Sequence, residues 1–121
     1  MDLLLSARPG RGCTVLEVHG ELDMATSSRL RDGLQQLIDA GDRRVVVDLA
    51  GVAFMDSSAL GALVVMFKAL RDVGGQLSLA APQPAVQGVL TITSMNKAID
   101  VYDSVQAAEA KVALTDDSTG R

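Results

Sequence analysis

The chain has 121 residues, 48% of them hydrophobic and 21% charged, which fits one compact domain with an apolar core. Its formal net charge of −4 argues against a general nucleic-acid binder, because contact with phosphates requires a basic surface. The single cysteine, Cys13, excludes an intrachain disulfide and a cysteine metal cluster.

The apolar stretches are too short to cross a membrane. The longest of them, Ala59 to Phe67, is less than half of the roughly 20 residues that a spanning helix needs. The first residues carry Asp2 where a secretory signal has positive charge, and the apolar run behind it is too short for one. We therefore expect a soluble cytoplasmic protein with no membrane partner.

The N-terminal half predicts a β-hairpin, a helix and a buried strand. Strands at Leu3–Arg8 and Cys13–Gly20 flank the turn residues PGRG, which are typical of a hairpin. Leucine and isoleucine then recur with the spacing of one helix face at positions 30, 34, 37 and 38, and Gly41 marks the end of that helix. The β-branched run in RRVVVDLAG is typical of a strand that is buried on both faces.

The C-terminal half continues the alternation of helices and strands. The elements expected there are, in chain order, a helix that ends near Gly74-Gly75, a strand at 76–81, a helix at 84–95, a strand at 98–102 and a helix at 104–114. These elements complete a single domain of residues 1–114. We expect the polar residues 115–121 to form a flexible C-terminal tail.

Strands that alternate with helices after an opening hairpin predict an α/β domain. We expect a mixed sheet with the Arg44–Leu49 strand near its centre. The helices should pack mainly on one face of this sheet, because the chain has too few residues to cover both faces well.

The segment FMDSSALGALVVMFK, residues 54–68, poses the functional question, because one acid and two serines precede an almost wholly apolar helix. A helix turns by about 100° per residue, which allows its core face to be assigned from the spacing of the largest apolar residues. These residues are Leu60, Leu63, Val64 and Phe67.

On that assignment, a stripe of small residues lies almost opposite the core face. The stripe consists of Ser58, Ala62, Val65 and Ala69. A stripe facing solvent should be charged, so a small apolar one indicates either a second buried face or a docking surface for a partner.

Helix capping can account for a polar residue at position 57 but not for the serine at position 58. Asp56 or Ser57 can cap the helix by accepting a hydrogen bond from a free backbone N–H. Capping does not account for Ser58, whose hydroxyl would be exposed beside N–H groups that favour a phosphate. From geometry alone, Ser58 is either a modified residue or a spare surface serine.

Three segments resemble, in order, the anti-sigma factor antagonists of the STAS-domain family. They are GELD at 20–23, VVVDLAGVAFMDSSALGAL at 45–63 and GGQLSLAAP at 74–82, and the resemblance extends over about residues 3 to 110. It implies that Ser58, the second hydroxyl of the family's Asp-Ser-Ser/Thr-Gly-Leu-Gly motif, is phosphorylated by an anti-sigma factor with serine kinase activity. It also implies that Asp23 belongs to the surface that meets this kinase.

The mechanism implied by the resemblance is partner switching. The unphosphorylated protein would bind the anti-sigma factor and free its sigma factor, and phosphorylation of Ser58 would block that binding until a phosphoserine phosphatase reverses it. No catalytic residue, metal, cofactor or direct nucleic-acid contact is expected. The candidate partner-binding residues are Asp23, Asp56, Ser57, Ser58, Ala62, Val65 and Ala69.

The sequence departs from the family pattern at Ala59, where the family usually has glycine. Alanine is the better helix former by up to about 1 kcal/mol, so we expect the helix to be kept. The departure bears instead on close backbone approach by the partner, or on the efficiency of phosphorylation.

Three alternatives compete with this interpretation. A serine hydrolase would need a base, but His19 is the only histidine and no G-x-S-x-G motif surrounds Ser57 or Ser58. A receiver domain could use Asp48 as phosphoacceptor. Such domains open with a strand–helix unit and an acidic pair for Mg²⁺, however, whereas this sequence predicts an opening hairpin and has no such pair. The third alternative is a STAS module that serves a transport or signalling assembly without a phosphorylation cycle.

Overall fold

The structure is a computed structural model that describes residues 3–119, with side chains as far as Val112. Strands and helices alternate along most of the chain. They are β1 (Leu4–Pro9), β2 (Thr14–Leu22), α1 (Ser27–Asp39), β3 (Arg44–Met55), α2 (Ser57–Asp72), β4 (Gln76–Ala80), α3 (Pro84–Ile92), α4 (Met95–Ala98), β5 (Val101–Tyr102) and α5 (Val105–Thr119).

The five strands form one mixed sheet in the order β1-β2-β3-β4-β5. The hairpin pair β1 and β2 is antiparallel, and every other neighbouring pair is parallel. The α/β class, the opening hairpin and the central position of β3 are therefore confirmed. Each parallel connection steps one strand further in the same direction, so right-handed crossovers place α1, α2 and α3 on the same face of the sheet.

The main core lies between that face and these three helices. Val45 and Val47 of β3 point into it and are at most 2% exposed, together with Leu34 of α1, Leu63 of α2 and Leu90 of α3. Each fully buried side chain of this kind contributes about 1.5–3 kcal/mol relative to an exposed one. The described part of the chain has no helix that is both long and apolar enough to cross a membrane.

The opposite face of the sheet is covered in part by α5. Val46, which alternates with Val45 and Val47, packs there against Val105 and Ala108 in a second, smaller cluster. Cys13 lies beside this cluster, and burial raises the pKa of its thiol. The helices thus pack mainly on one face, as predicted, with α5 as the helix that crosses to the other.

Two of the predicted helices have different ends. The helix predicted over 84–95 stops at Ile92, because Ser94 adopts a left-handed conformation (φ 60°) that breaks the helix before α4. Helix α5 continues to Thr119, five residues beyond the predicted end at 114. Residues 120–121 of the predicted tail lie outside the described residues, and the flexibility of the tail stays a prediction.

Candidate functional site

The start of α2 is held by Asp56, which occupies the N-cap position directly after β3. Its carboxylate accepts the backbone N–H of Ser58 at 2.8 Å and that of Ala59 at 3.4 Å. Of the two capping candidates that the sequence left open, Asp56 and Ser57, the cap is Asp56. The N–H groups that we expected to be open to a phosphate on Ser58 are instead bound by this carboxylate, so that expectation was wrong.

The core face of α2 differs from the predicted one. The most deeply buried residues are Ala59, Leu63, Met66 and Leu70, each at most 2% exposed, whereas Val64 and Phe67 are only partly buried. Leu60 is buried as predicted, at 6% exposure. The face is rotated because α2 packs against α1 as well as against the sheet.

The predicted stripe of small residues is therefore not one solvated surface. Ala62 is 8% exposed and Ala69 packs against the main core, so both belong to the buried side of the helix. Val65 is 52% exposed, and Ser58 is partly exposed at the start of the stripe. Of the two interpretations that the sequence left open, a second buried face is correct for the two alanines.

Gly61 is a surface position that the sequence analysis missed. It is exposed on α2 between Ser57 and Val65, and a Cβ added to it would meet no atom within 4 Å. A glycine inside a helix costs up to about 1 kcal/mol relative to alanine. The signal that could have found Gly61 is this unfavourable residue in an otherwise strong helix, at the last position of the DSSALG motif.

The residues Ser58 and Val65 also line a groove between α1 and α2, with a volume of about 300 Å³. The other residues that line this α1–α2 groove are Ser27, Ser28, Arg31, Gly61 and Ala62. Arg31 is exposed and was not singled out in the sequence, where it is one of several scattered basic residues.

Asp23 lies beside Asp56 because β2 and β3 are parallel neighbours that end at the same edge of the sheet. Leu22 pairs with Met55, and the N–H of Asp56 donates to the carbonyl of Leu22 at 3.0 Å. Asp23 and Asp56 line one shallow depression together with Met24, which is 80% exposed. The structure thus places Asp23 at the end of the sheet where α2 begins, as the sequence indicated.

The carboxylate of Asp23 also has a structural role that we did not expect. It accepts the N–H of Ala25 at 2.9 Å and that of Thr26 at 3.2 Å. Thr26 is only 4% exposed, and its hydroxyl donates to the carbonyl of Glu21 at 2.7 Å. Asp23 is therefore part of the hydrogen-bonded turn that leads into α1, and it is more than an exposed loop acid.

A family model described as the STAS domain matches residues 6–108. The chain belongs to this family. The anti-sigma F factor antagonist of Paenibacillus polymyxa is 31% identical over 108 residues, which cover 86% of this chain and 90% of that protein. The resemblance noted in the sequence is thereby confirmed.

Solved structures share the fold of this STAS domain. An anti-sigma factor antagonist from Mycobacterium paratuberculosis superposes with a TM-score of 0.84 at 24% identity, covering 93% of this chain and 95% of that one. The phosphorylated form of the Bacillus cell fate determinant SpoIIAA superposes with a TM-score of 0.67 at 22% identity, covering 90% and 99% of the two chains.

The position at which this STAS domain departs from the family motif faces inward. Ala59 has 0% exposure and lies in the main core. Its methyl group is therefore directed into the core and away from solvent.

The structure also places His19 and Asp48, the residues on which the hydrolase and receiver alternatives depend. His19 alternates with Val18, which faces the main core, so His19 lies on the opposite face of the sheet from Ser58. Asp48 accepts the N–H of Ala50 at 3.0 Å. The hairpin opening and the family match show that the receiver interpretation was wrong.

No group of three or more His, Cys, Asp or Glu side chains among residues 3–112 could hold a metal ion.

Proposed function

We propose that this STAS protein is an anti-sigma factor antagonist of the cytoplasm that acts by partner switching. In its unphosphorylated form it binds an anti-sigma factor with serine kinase activity, which then releases its sigma factor. That kinase phosphorylates Ser58, and a phosphoserine phosphatase restores the binding form. The protein has no catalytic activity of its own in this scheme. A named relative, the anti-sigma F factor antagonist of Paenibacillus polymyxa, supports the proposal.

The observation that carries the proposal is the position of Ser58. It lies partly exposed in the first turn of α2, between the exposed part of that helix and the two neighbouring carboxylates of Asp23 and Asp56. We take the docking surface to be formed by these parts of the molecule. Its residues are Asp23, Met24, Asp56, Ser57, Ser58, Gly61 and Val65.

The exposed apolar side chains of the docking surface supply its affinity. Met24 is 80% exposed and Val65 is 52% exposed, and burying them against a partner removes apolar area from water. The acids around them add selectivity for a partner of opposite charge. Ala62 and Ala69, which the sequence had included, lie beneath this surface and support it.

Phosphorylation would act on binding and leave the fold in place. A phosphate adds about −1.5 to −2 charges at Ser58, in a place where the carboxylates of Asp56 and Asp23 are already negative. A partner that desolvates Ser58 would then have to desolvate a charge it does not match, which costs several kcal/mol in typical interfaces. The first turn of α2 keeps its hydrogen bonds to Asp56, so the helix does not depend on an unmodified serine.

The test is phosphorylation with the cognate kinase and ATP, followed by mass spectrometry and affinity measurement. We expect one phosphate on Ser58, none on the Ser58→Ala variant, and an unchanged yield on Ser57→Ala, which serves as the matched control. The phosphorylated protein should bind the kinase at least about tenfold more weakly than the unmodified one, as expected when negative charge is added at an interface that already carries acids. Absence of phosphoserine in all three proteins would instead favour a STAS module without a phosphorylation cycle.

A further inference from the structure

The α1–α2 groove holds one cation and one proposed site of phosphorylation. Arg31 of α1 and Ser58 of α2 both line it, and the hydroxyl-bearing residues Ser27 and Ser28 line it as well. In the described part of the chain, Arg31 takes part in no ion pair with another residue. Its guanidinium therefore has its hydrogen-bonding capacity available.

We propose that Arg31 binds the phosphate of phosphorylated Ser58 within the same molecule. The inference rests on the proposed function for the phosphorylation of Ser58, and it adds the side chain that binds the resulting phosphate. An arginine is suited to this because its planar guanidinium can donate two parallel hydrogen bonds to a phosphate. The pair would join α1 to α2 across the groove.

Two backbone donors beside Ser58 are already in use, which favours a side-chain partner for the phosphate. The N–H groups of Ser58 and Ala59 are bound by the carboxylate of Asp56, so they do not serve the phosphate without giving up that bond. The same carboxylate repels the phosphate. Arg31 is the cation among the residues that line the groove, and its charge offsets this repulsion.

The pair also has a consequence for docking. Unphosphorylated, Arg31 is a positive charge at the margin of an otherwise acidic surface. Once it is paired with the phosphate, the surface loses that positive charge and carries the added negative charge. Phosphorylation of Ser58 would therefore change the charge that a partner meets at two positions, Ser58 and Arg31.

The same helix provides a matched control in Arg29. It is exposed and carries the same charge, but it lines a different groove, beside Leu5 of β1 and Asp32 of α1. The variants Arg31→Gln and Arg29→Gln remove one positive charge each from α1. Only the first removes a group that lines the groove with Ser58.

The experiment uses full-length protein in which phosphoserine is inserted at position 58 during translation, so no kinase is needed. The second pKa of the phosphate, ordinarily about 6, is measured by ³¹P NMR titration in the parent and both variants. A nearby cation favours the doubly charged phosphate and lowers this pKa, so its removal raises it. We expect Arg31→Gln to raise the pKa by about 0.5 unit or more, and Arg29→Gln to change it much less. Asp56 is present in all three proteins, so its opposite effect cancels.

A second readout separates pairing from a general loss of stability. Thermal melting is measured for each variant with serine and with phosphoserine at position 58. Arg31→Gln should lower the melting temperature of the phosphorylated protein more than that of the unmodified one, and Arg29→Gln should lower both by the same amount.

Equal pKa values for the parent and Arg31→Gln, or equal shifts for both variants, would overturn the proposal. Neither outcome depends on whether a kinase modifies Ser58, because the phosphoserine is genetically inserted. Failure of the kinase to modify Ser58 would therefore contradict the proposed function and leave the measured pairing standing. Equal pKa values would contradict the pairing and leave the proposed function standing.

Discussion

Asp23 combines a structural role with a place on the proposed docking surface, and two substitutions separate these roles. Asp23→Ala removes the oxygen that accepts the N–H groups of Ala25 and Thr26, whereas Asp23→Asn keeps an oxygen there and removes only the charge. We expect the alanine variant to lose about 1 kcal/mol in the free energy of unfolding, as when a helix cap is removed, and the asparagine variant to lose less.

Urea unfolding measures the stability of both variants, and titration with the anti-sigma factor measures their affinity. Both should bind more weakly than the parent, because both lack the carboxylate at the docking surface. If Asp23→Asn binds as the parent does, the charge of Asp23 plays no part in recognition and only its role in the turn remains.

At the same scale, Ala62 shows why the burial of a single residue could not be predicted from the sequence. Its residue type is tolerated both in a core and on a surface, and only the packing of α1 against α2 decides between them. We expect Ala62→Glu to lower the free energy of unfolding by about 2 kcal/mol or more, because it forces a larger, charged side chain into a site that is only 8% exposed. Urea unfolding tests this. A change below about 0.5 kcal/mol, typical of surface sites, would mean that the groove opens to accommodate the charge.

At the scale of the element, the ends of α2 were predictable and its orientation was not. The start is marked by Asp56 and the end by the glycines at 74 and 75, and each has a local physical cause in a cap or a left-handed turn. The run from Ala59 to Phe67 has no polar side chain to mark the outer face. The choice of face then depends on the position of α1, which is information from outside the helix.

The exposed glycines of α2 and α3 provide a test of the docking surface at the level of the helix. Gly61 and Gly88 are both exposed, and an added Cβ would meet no atom within 4 Å at either position. Gly61→Glu and Gly88→Glu should each raise helix stability by up to about 1 kcal/mol, since glutamate is a better helix former than glycine. Only Gly61→Glu should weaken binding to the anti-sigma factor, because it adds a charge beside Ser58 and Val65.

Thermal melting and affinity measurements on these two variants give the comparison directly. Equal affinities for Gly61→Glu and Gly88→Glu would place the docking surface away from α2. A large loss of stability in Gly61→Glu alone would show that this part of α2 is packed more tightly than its exposure indicates.

At the scale of the whole molecule, the two faces of the sheet have separate tasks. The face that carries α1 and α2 also carries Ser58 and the α1–α2 groove, while α5 covers Val46 on the opposite face. The order of strands and the side of the crossover helices follow from the alternation of elements and the handedness rule, so they could be expected from the sequence. The placement of α5 could not, because the described part of the chain has no strand after this helix to fix its side.

This division predicts that damage to the α5 face lowers stability without changing recognition. Ala108 has 0% exposure in the cluster with Val46 and Val105, whereas Ala110 is exposed two residues further along α5. Ala108→Asp buries an unpaired carboxylate and should cost about 2 kcal/mol or more in the free energy of unfolding, while Ala110→Asp should stay within about 0.5 kcal/mol. The affinity for the anti-sigma factor, corrected for the folded fraction from the same urea curves, should equal that of the parent in both variants, because the proposed docking surface lies on the other side of the sheet. A loss of affinity in folded Ala108→Asp would show that the two faces are coupled through β3, which is buried between them.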